Sequence, residues 1–115
     1  MIDETIQKHS ISYEDFSKLD IRVATVIACE SIEGADRLLK VTLEVGELGE
    51  RTVAAGIKQW YQPEEMVGKT VIYLANLEPR VLRGVTSQGM ILAAGGDEAV
   101  LLQPEKSVSV GTVVR

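Results

Sequence analysis

The chain has 115 residues, of which 45% are hydrophobic and 25% charged, and its formal net charge is −5. This length holds one domain with a buried core, and the composition excludes disorder along most of the chain. Apolar runs such as "MILAA" are far shorter than the roughly 20 residues of a membrane span, and no signal segment opens the chain. We therefore expect no membrane association and a cytoplasmic location.

The first third of the chain predicts an arm, a short helix and a curved strand. Residues 1–12 lack periodicity and form the expected N-terminal arm, and residues 13–115 form the expected domain. Ser12 followed by Asp15 is a capping-box pattern that begins a short helix. Residues 21–30 are rich in β-branched side chains, and a break in their alternation is typical of a bulged or a sharply curved strand.

The middle of the chain predicts a hairpin, a helical turn and a further strand. Alternating apolar residues over 39–45, the glycines of "GELG" at 46–49 and a second strand at 51–55 indicate the hairpin. Pro63 begins the helical turn. The next strand covers residues 70–74.

The last third predicts a loop at 76–89, a strand at 90–94 and two short strands at 99–103 and 112–114. Five strands in a small, glycine-punctuated chain favour an all-β fold with small helices: an OB-fold, a five-stranded Greek-key barrel, with a C-terminal strand extension. An added strand pair with an apolar side is often an interface, so we expect a homodimer.

Catalytic and metal-binding patterns are missing from the sequence. His9 is the only histidine and Cys29 the only cysteine, which leaves triads and thiolate or imidazole metal sites without partners. Gly68-Lys69-Thr70 lacks the upstream glycine of a phosphate-binding loop. We expect no enzyme activity, no cofactor and no metal.

Four cations are candidates for one binding surface despite the acidic total. Arg22 and Lys40 lie on neighbouring predicted strands, and Arg80 and Arg83 lie in the loop before the fifth strand. In this barrel class nucleic acid lies on the face of strands two and three and on the loops beside it. The four cations would converge there on a phosphate backbone, or they are scattered surface charges.

Several motifs in order resemble one family. The segments "DFSKLDIRVATV", "ADRLLKVTLEVG", "RTVAAGI", "GKTVIYLANLEPRVLRGVTSQGMILAA" and "LLQPEKSVSVGT" are similar to the tRNA-binding domain found at the C-terminus of methionyl-tRNA synthetase, as its separate beta subunit and as free-standing structure-specific tRNA-binding proteins. The resemblance covers about residues 15–115. It implies an OB-fold, tRNA as partner, a homodimer built partly from the C-terminal extension and a link to methionyl-tRNA synthetase. The matching tRNA-contacting positions are Arg22, Lys40, Asn76, Arg80, Ser87 and Met90.

The stretch "SQGM" at 87–90 receives a physical interpretation from this resemblance. Ser87 and Gln88 offer hydroxyl and amide groups to sugars or base edges, and Gly89 lets the backbone approach a ligand closely. Met90 packs against a base or ribose at the rim, or it is part of the core. Arg83 adds a cation to a loop whose Glu78 stands where the family commonly has lysine.

Two other functions stay open at this point. Secretion-associated chaperones of the same fold bind unfolded peptides, although the forms "ADRLLK" and "SQGM" weaken that interpretation. A docking subunit held to a synthetase by the acidic N-terminal arm is the third possibility.

Overall fold

The computed structural model describes residues 7–115 and shows a mainly β chain. Of the predicted arm, residues 1–6 lie outside the described part, and residues 7–12 are exposed and have no regular structure. The division into arm and domain stays a prediction. The elements, in chain order, are α1 (Tyr13–Phe16), β1 (Ile21–Ser31), β2 (Leu39–Glu44), β3 (Glu50–Ala55), α2 (Pro63–Met66), β4 (Thr70–Leu74), β5 (Arg80–Leu82), β6 (Val85–Ser87), β7 (Met90–Ile91), β8 (Ala93–Ala94), β9 (Val100–Leu101) and β10 (Val113–Val114).

The main sheet is antiparallel and curls into a nearly closed barrel in the order β3-β2-β1-β4-β7, with β10 beside the start of β1. Alternation along β2 buries Leu39, Val41 and Leu43 completely, as the sequence pattern predicts. Tyr73 from β4 is the largest of the fully buried side chains. The all-β barrel prediction is confirmed.

Strand β1 pairs with β4 over its first half and with β2 over its second half, in addition to its short pairing with β10. Its residues 21–25 pair with β4, its residues 25–31 pair with β2, and the register shifts between Val26 and Ala28. A bulge adds a residue to one strand and sharpens its twist. The broken alternation in the sequence therefore reflects a bulge.

The predicted loop at 76–89 contains a hairpin, so that part of the prediction is wrong. Strands β5 and β6 pair through a tight turn in which Arg83 has φ +50° and Gly84 has φ +80°. Two positive φ angles are the requirement of a type I′ turn, which usually carries asparagine and glycine. Because the first turn position holds arginine and not asparagine, the sequence does not indicate this turn.

The predicted fifth strand of the barrel is divided, and its second part pairs with the chain that leads into the C-terminal extension. The expected strand at 90–94 divides into β7 and β8, and β8 pairs with β9 in a separate two-stranded sheet. Tyr61 packs against the core, and its hydroxyl accepts a hydrogen bond from Leu101 N at 3.1 Å. This contact ties the extension to the barrel.

Candidate nucleic-acid interface

Residues 87–89 close the barrel where β3 and β7 do not pair, a region we call the barrel seam. Ala54 N donates to Ser87 Oγ at 3.0 Å. Thr52 N donates to Gln88 Oε1 at 3.0 Å, and Gln88 N donates to Thr52 O at 2.7 Å. Side chains thus supply bonds that a strand ladder would otherwise make. Both polar side chains that we predicted to face a ligand also hold the fold, and their contact with RNA stays a prediction.

Lys40 lies on the outer face of β2, between Glu30 of β1 and Ala54 of β3. Its Nζ is 3.7 Å from Glu30 Oε2, and the two side chains are 40% and 68% exposed. An ion pair this open to water contributes little and exchanges readily for another anion. Lys40 lines a shallow cleft together with Thr52, Gln88 and the 84–86 segment.

Three arginines lie near this face, on the β5–β6 hairpin and in the β1–β2 loop. Arg80 is exposed on β5, and Arg83 stands at the tip of the β5–β6 hairpin. Arg83 lines a second cleft together with Arg37 from the β1–β2 loop. Among the residues 7–115, none of these three arginines forms an ion pair within 4.0 Å.

Arg37 and Lys58 are cations that the sequence interpretation missed. Lys58 N donates to Arg37 O at 3.3 Å, which holds the β1–β2 loop against the connection after β3. Both residues lie in irregular segments without periodicity. The segment "ADRLLK" was the available signal for Arg37.

A small pocket of about 210 Å³ opens at the barrel seam. Arg80, Ser87 and Met90 line it, together with apolar side chains of β3 and of the loop before β5. Met90 is 45% exposed, so the interpretation of Met90 as core is wrong, and its packing against a base or ribose stays a prediction. Gly89 packs closely against Leu74 of β4, and the side chain of the next residue, Met90, lies at the surface.

Arg22 does not join this cluster. It lies eight positions before Glu30 on β1, roughly 25 Å along an extended strand, whereas Glu30 is the residue that faces Lys40. Its Nε donates to Asp20 Oδ1 at 2.6 Å, and a guanidinium nitrogen donates to Gly111 O at 3.2 Å. The hydrogen bond and the charge of Asp20 raise the pKa of Arg22. The expected convergence of four cations is therefore wrong for Arg22, and its contact with RNA stays a prediction.

Asn76 fastens the start of β1 to the end of β4. Its Oδ1 accepts from Asp20 N at 2.9 Å, and its Nδ2 donates to Lys18 O at 2.7 Å. The amide is therefore occupied by backbone groups in this structure. Its predicted contact with tRNA is untested.

The remaining chemistry of the described chain is sparse. No group of three or more His, Cys, Asp or Glu residues within 7–115 is placed to hold a metal ion. Over the same residues, neither helix is long and apolar enough to cross a membrane.

The outer face of β2 and β3 with its cationic loops is the place where OB-folds bind nucleic acid. A family model described as a putative tRNA binding domain matches residues 21–113. The chain belongs to this family. The role described for the family is tRNA binding.

Sequence relatives of this tRNA-binding domain are methionine–tRNA ligases. It is 54% identical to the enzyme of Dichelobacter nodosus over 91 residues and 50% identical to that of Deinococcus radiodurans over 107 residues. These alignments cover 79% and 91% of the chain but 14% and 16% of the two ligases. The chain thus spans about one sixth of the length of the curated relatives it matches.

Two solved structures have the same fold over nearly the whole chain. A MetRS-related protein from Pyrococcus horikoshii superimposes with a TM-score of 0.87 at 32% identity, covering 94% of this chain and 100% of that one. The chaperone CsaA from Bacillus anthracis superimposes with a TM-score of 0.85 at 28% identity, covering 93% and 100%. A MetRS-related protein and a chaperone therefore share this architecture.

Proposed function

We propose that this chain is a non-catalytic module that binds tRNA in the cytoplasm through contacts with phosphates and sugars. The observation that carries the proposal is that cations line three clefts beside the β5–β6 hairpin: Arg80 the seam pocket, Lys40 the cleft at Gln88, and Arg83 the cleft that it shares with Arg37. The three arginines have no ion-pair partners among the described residues. Cations in that state release counterions when they meet a phosphate backbone, which favours binding. Contacts of this kind recognise shape and give little base selection.

Salt dependence of binding tests the proposal. Lys40→Ala and Arg80→Ala should each weaken tRNA binding and lower the slope of log K against log salt by about 1. Lys106→Ala is the matched control, because it removes one exposed cation from the C-terminal extension. If the two site variants behave like Lys106→Ala across the salt series, the site assignment is wrong.

A peptide-binding chaperone is the second candidate. The apolar seam pocket and the similarity to the chaperone CsaA favour it. A pull-down from lysate separates the two functions: tRNA that ribonuclease removes supports the first, and precursor polypeptides in its place support the second.

A homodimer and a synthetase partner complete the proposal. Val100, Leu102 and Val108 of the extension are 40–49% exposed, which leaves apolar area for a second copy. The module and a methionyl-tRNA synthetase would associate as separate chains, either by direct contact or by binding the same tRNA. Size-exclusion chromatography of the chain alone tests the dimer. The same measurement with the synthetase, with and without residues 1–12, tests the docking role of the arm.

A further inference from the structure

The seam pocket is too small for a whole ligand. Pockets that enclose a drug-sized molecule measure roughly 300–1,000 Å³, whereas this one measures about 210 Å³. It has room for one ring-sized group that belongs to something larger outside. Arg80 is part of the lining, so a ligand group in the pocket lies beside one of the candidate cations.

The interior of the pocket is apolar on both sides. Its floor exposes parts of core residues beneath the seam, where β3 and β7 make no ladder: Val53, Ala55, Ile57 and Ile91. Its walls include Leu77 and Met90, which are 43% and 45% exposed. Flat apolar faces of a ligand would cover these side chains and remove them from water.

Three polar side chains line the pocket: Arg80 and Ser87 of the β5–β6 hairpin, and Glu78 of the loop before it. Arg80 pairs with Ser87 across the β5–β6 hairpin, and Leu82 follows Arg80 at a spacing of two, so these three side chains share one face. Ser87 is 6% exposed. Its hydroxyl donates a long hydrogen bond of 3.4 Å to Gly89 O, which is close to the upper limit for such a bond. The hydroxyl proton is therefore free to turn to a better acceptor.

A nucleotide matches this arrangement. A base has two apolar faces and a polar edge, and its phosphate is an anion at a short fixed distance. We infer that the seam pocket binds one unstacked nucleobase of the RNA, between Leu77 and Met90, with Ser87 at its edge and Arg80 on the adjoining phosphate. An apolar peptide side chain would fill the floor but leave Arg80 without a counter-ion. This inference rests on the proposed RNA-binding function and names the part of the RNA that the site selects.

Abasic substitution tests the inference directly. The probes are RNA stem–loops with a single-stranded 3′ end, in which each unpaired nucleotide is replaced in turn by an abasic residue. Loss of the inserted base should weaken binding to the unmodified chain by about tenfold at one position, because the packing of that base against apolar side chains is lost. The other positions should bind like the parent RNA.

A protein variant combined with the abasic probes gives a double-mutant cycle. Leu77→Ala with Met90→Ala should bind parent and abasic RNA equally, within about twofold, since the pocket no longer grips the base. Leu19→Ala is the matched control: Leu19 is also 43% exposed and lies outside the pocket lining, so it should keep the tenfold difference. Thermal unfolding checks that the variants are folded.

Outcomes separate this inference from the proposed function. If the unmodified chain binds no RNA, the proposed function fails. If it binds RNA but every abasic probe binds like its parent, the inference alone is overturned. Equal weakening of all probes by the double variant overturns it as well. If the double variant instead loses only an unfolded polypeptide probe, the pocket is a peptide site and the inference is wrong.

Discussion

At the scale of single residues, Gly89 is a position where a side chain has almost no room. Its φ is +86°, and a Cβ there would collide with Leu74 O and lie 2.9 Å from Tyr73 Cε1. The close approach that we predicted between this glycine and a ligand is instead an approach to β4. Gly84 has nearly the same backbone angle, with φ +80°, but a Cβ added there would meet no other atom within 4 Å. Substitution of the two glycines therefore distinguishes the cost of backbone strain alone from the cost of strain with a steric collision.

We expect Gly89→Ala to lower the free energy of unfolding by about 2–5 kcal/mol, from backbone strain together with overpacking. Gly84→Ala should cost about 1–2 kcal/mol, because only the backbone angle is strained. Urea denaturation measures both. Equal losses in the two variants would contradict the collision at Gly89.

Cys29 predicts a pH dependence at the same scale. Burial, reinforced by the charges of Glu30 and Glu64, raises the pKa of this thiol from 9.0 to about 11. The unfolded chain therefore ionises first, so the contribution of the thiol to stability is complete below pH 9 and is lost as the pH rises towards 11. Burial also raises the pKa of Tyr73, which adds to the loss. Unfolding of the parent and of Cys29→Ala between about pH 8 and 11 isolates the thiol: the parent should lose stability more steeply, and parallel curves would exclude the effect.

At the scale of elements, the seam depends on a side chain that was predicted to bind RNA. Ser87→Ala leaves Ala54 N without its acceptor, and we expect a loss of about 1–3 kcal/mol in the free energy of unfolding. Ser31→Ala, an exposed serine on β1, should change stability by less than about 0.5 kcal/mol. A Ser87→Ala variant that keeps its stability but loses tRNA binding would show that the hydroxyl serves the ligand and not the fold.

At the scale of the whole molecule, the net charge of −5 opposes a polyanion, and only local arrangement favours it. The candidate face itself carries acids among its cations, including Glu78 in the pocket lining. Glu78→Lys should strengthen tRNA binding by about tenfold at low salt, since it replaces a repulsive charge with an attractive one. Glu105→Lys makes the same change of net charge in the C-terminal extension. Equal gains from the two variants would mean that total charge, and not the face, governs binding.

Much of the barrel could be predicted because its signals are local. Period-two alternation in β2, the glycines before β3 and the broken alternation of β1 each report a neighbourhood of a few residues. The type I′ turn at Arg83 escaped because its signal depends on a backbone angle that arginine rarely adopts. Motif similarity supplied the family, which periodicity alone does not distinguish from other small barrels.

Sequence by itself determined strands β1 to β4 and the residues that resemble a tRNA-binding motif. Tertiary structure alone decided that Ser87 and Gln88 close the seam, that Asp20 holds Arg22 away from the cluster, and that Arg37 joins Arg83. The physical reason is that the sequence shows the same residue type whether its polar side chain faces a ligand or a backbone amide. Its partner is set by long-range strand pairing, which brings together residues that are 33 and 36 positions apart at the seam.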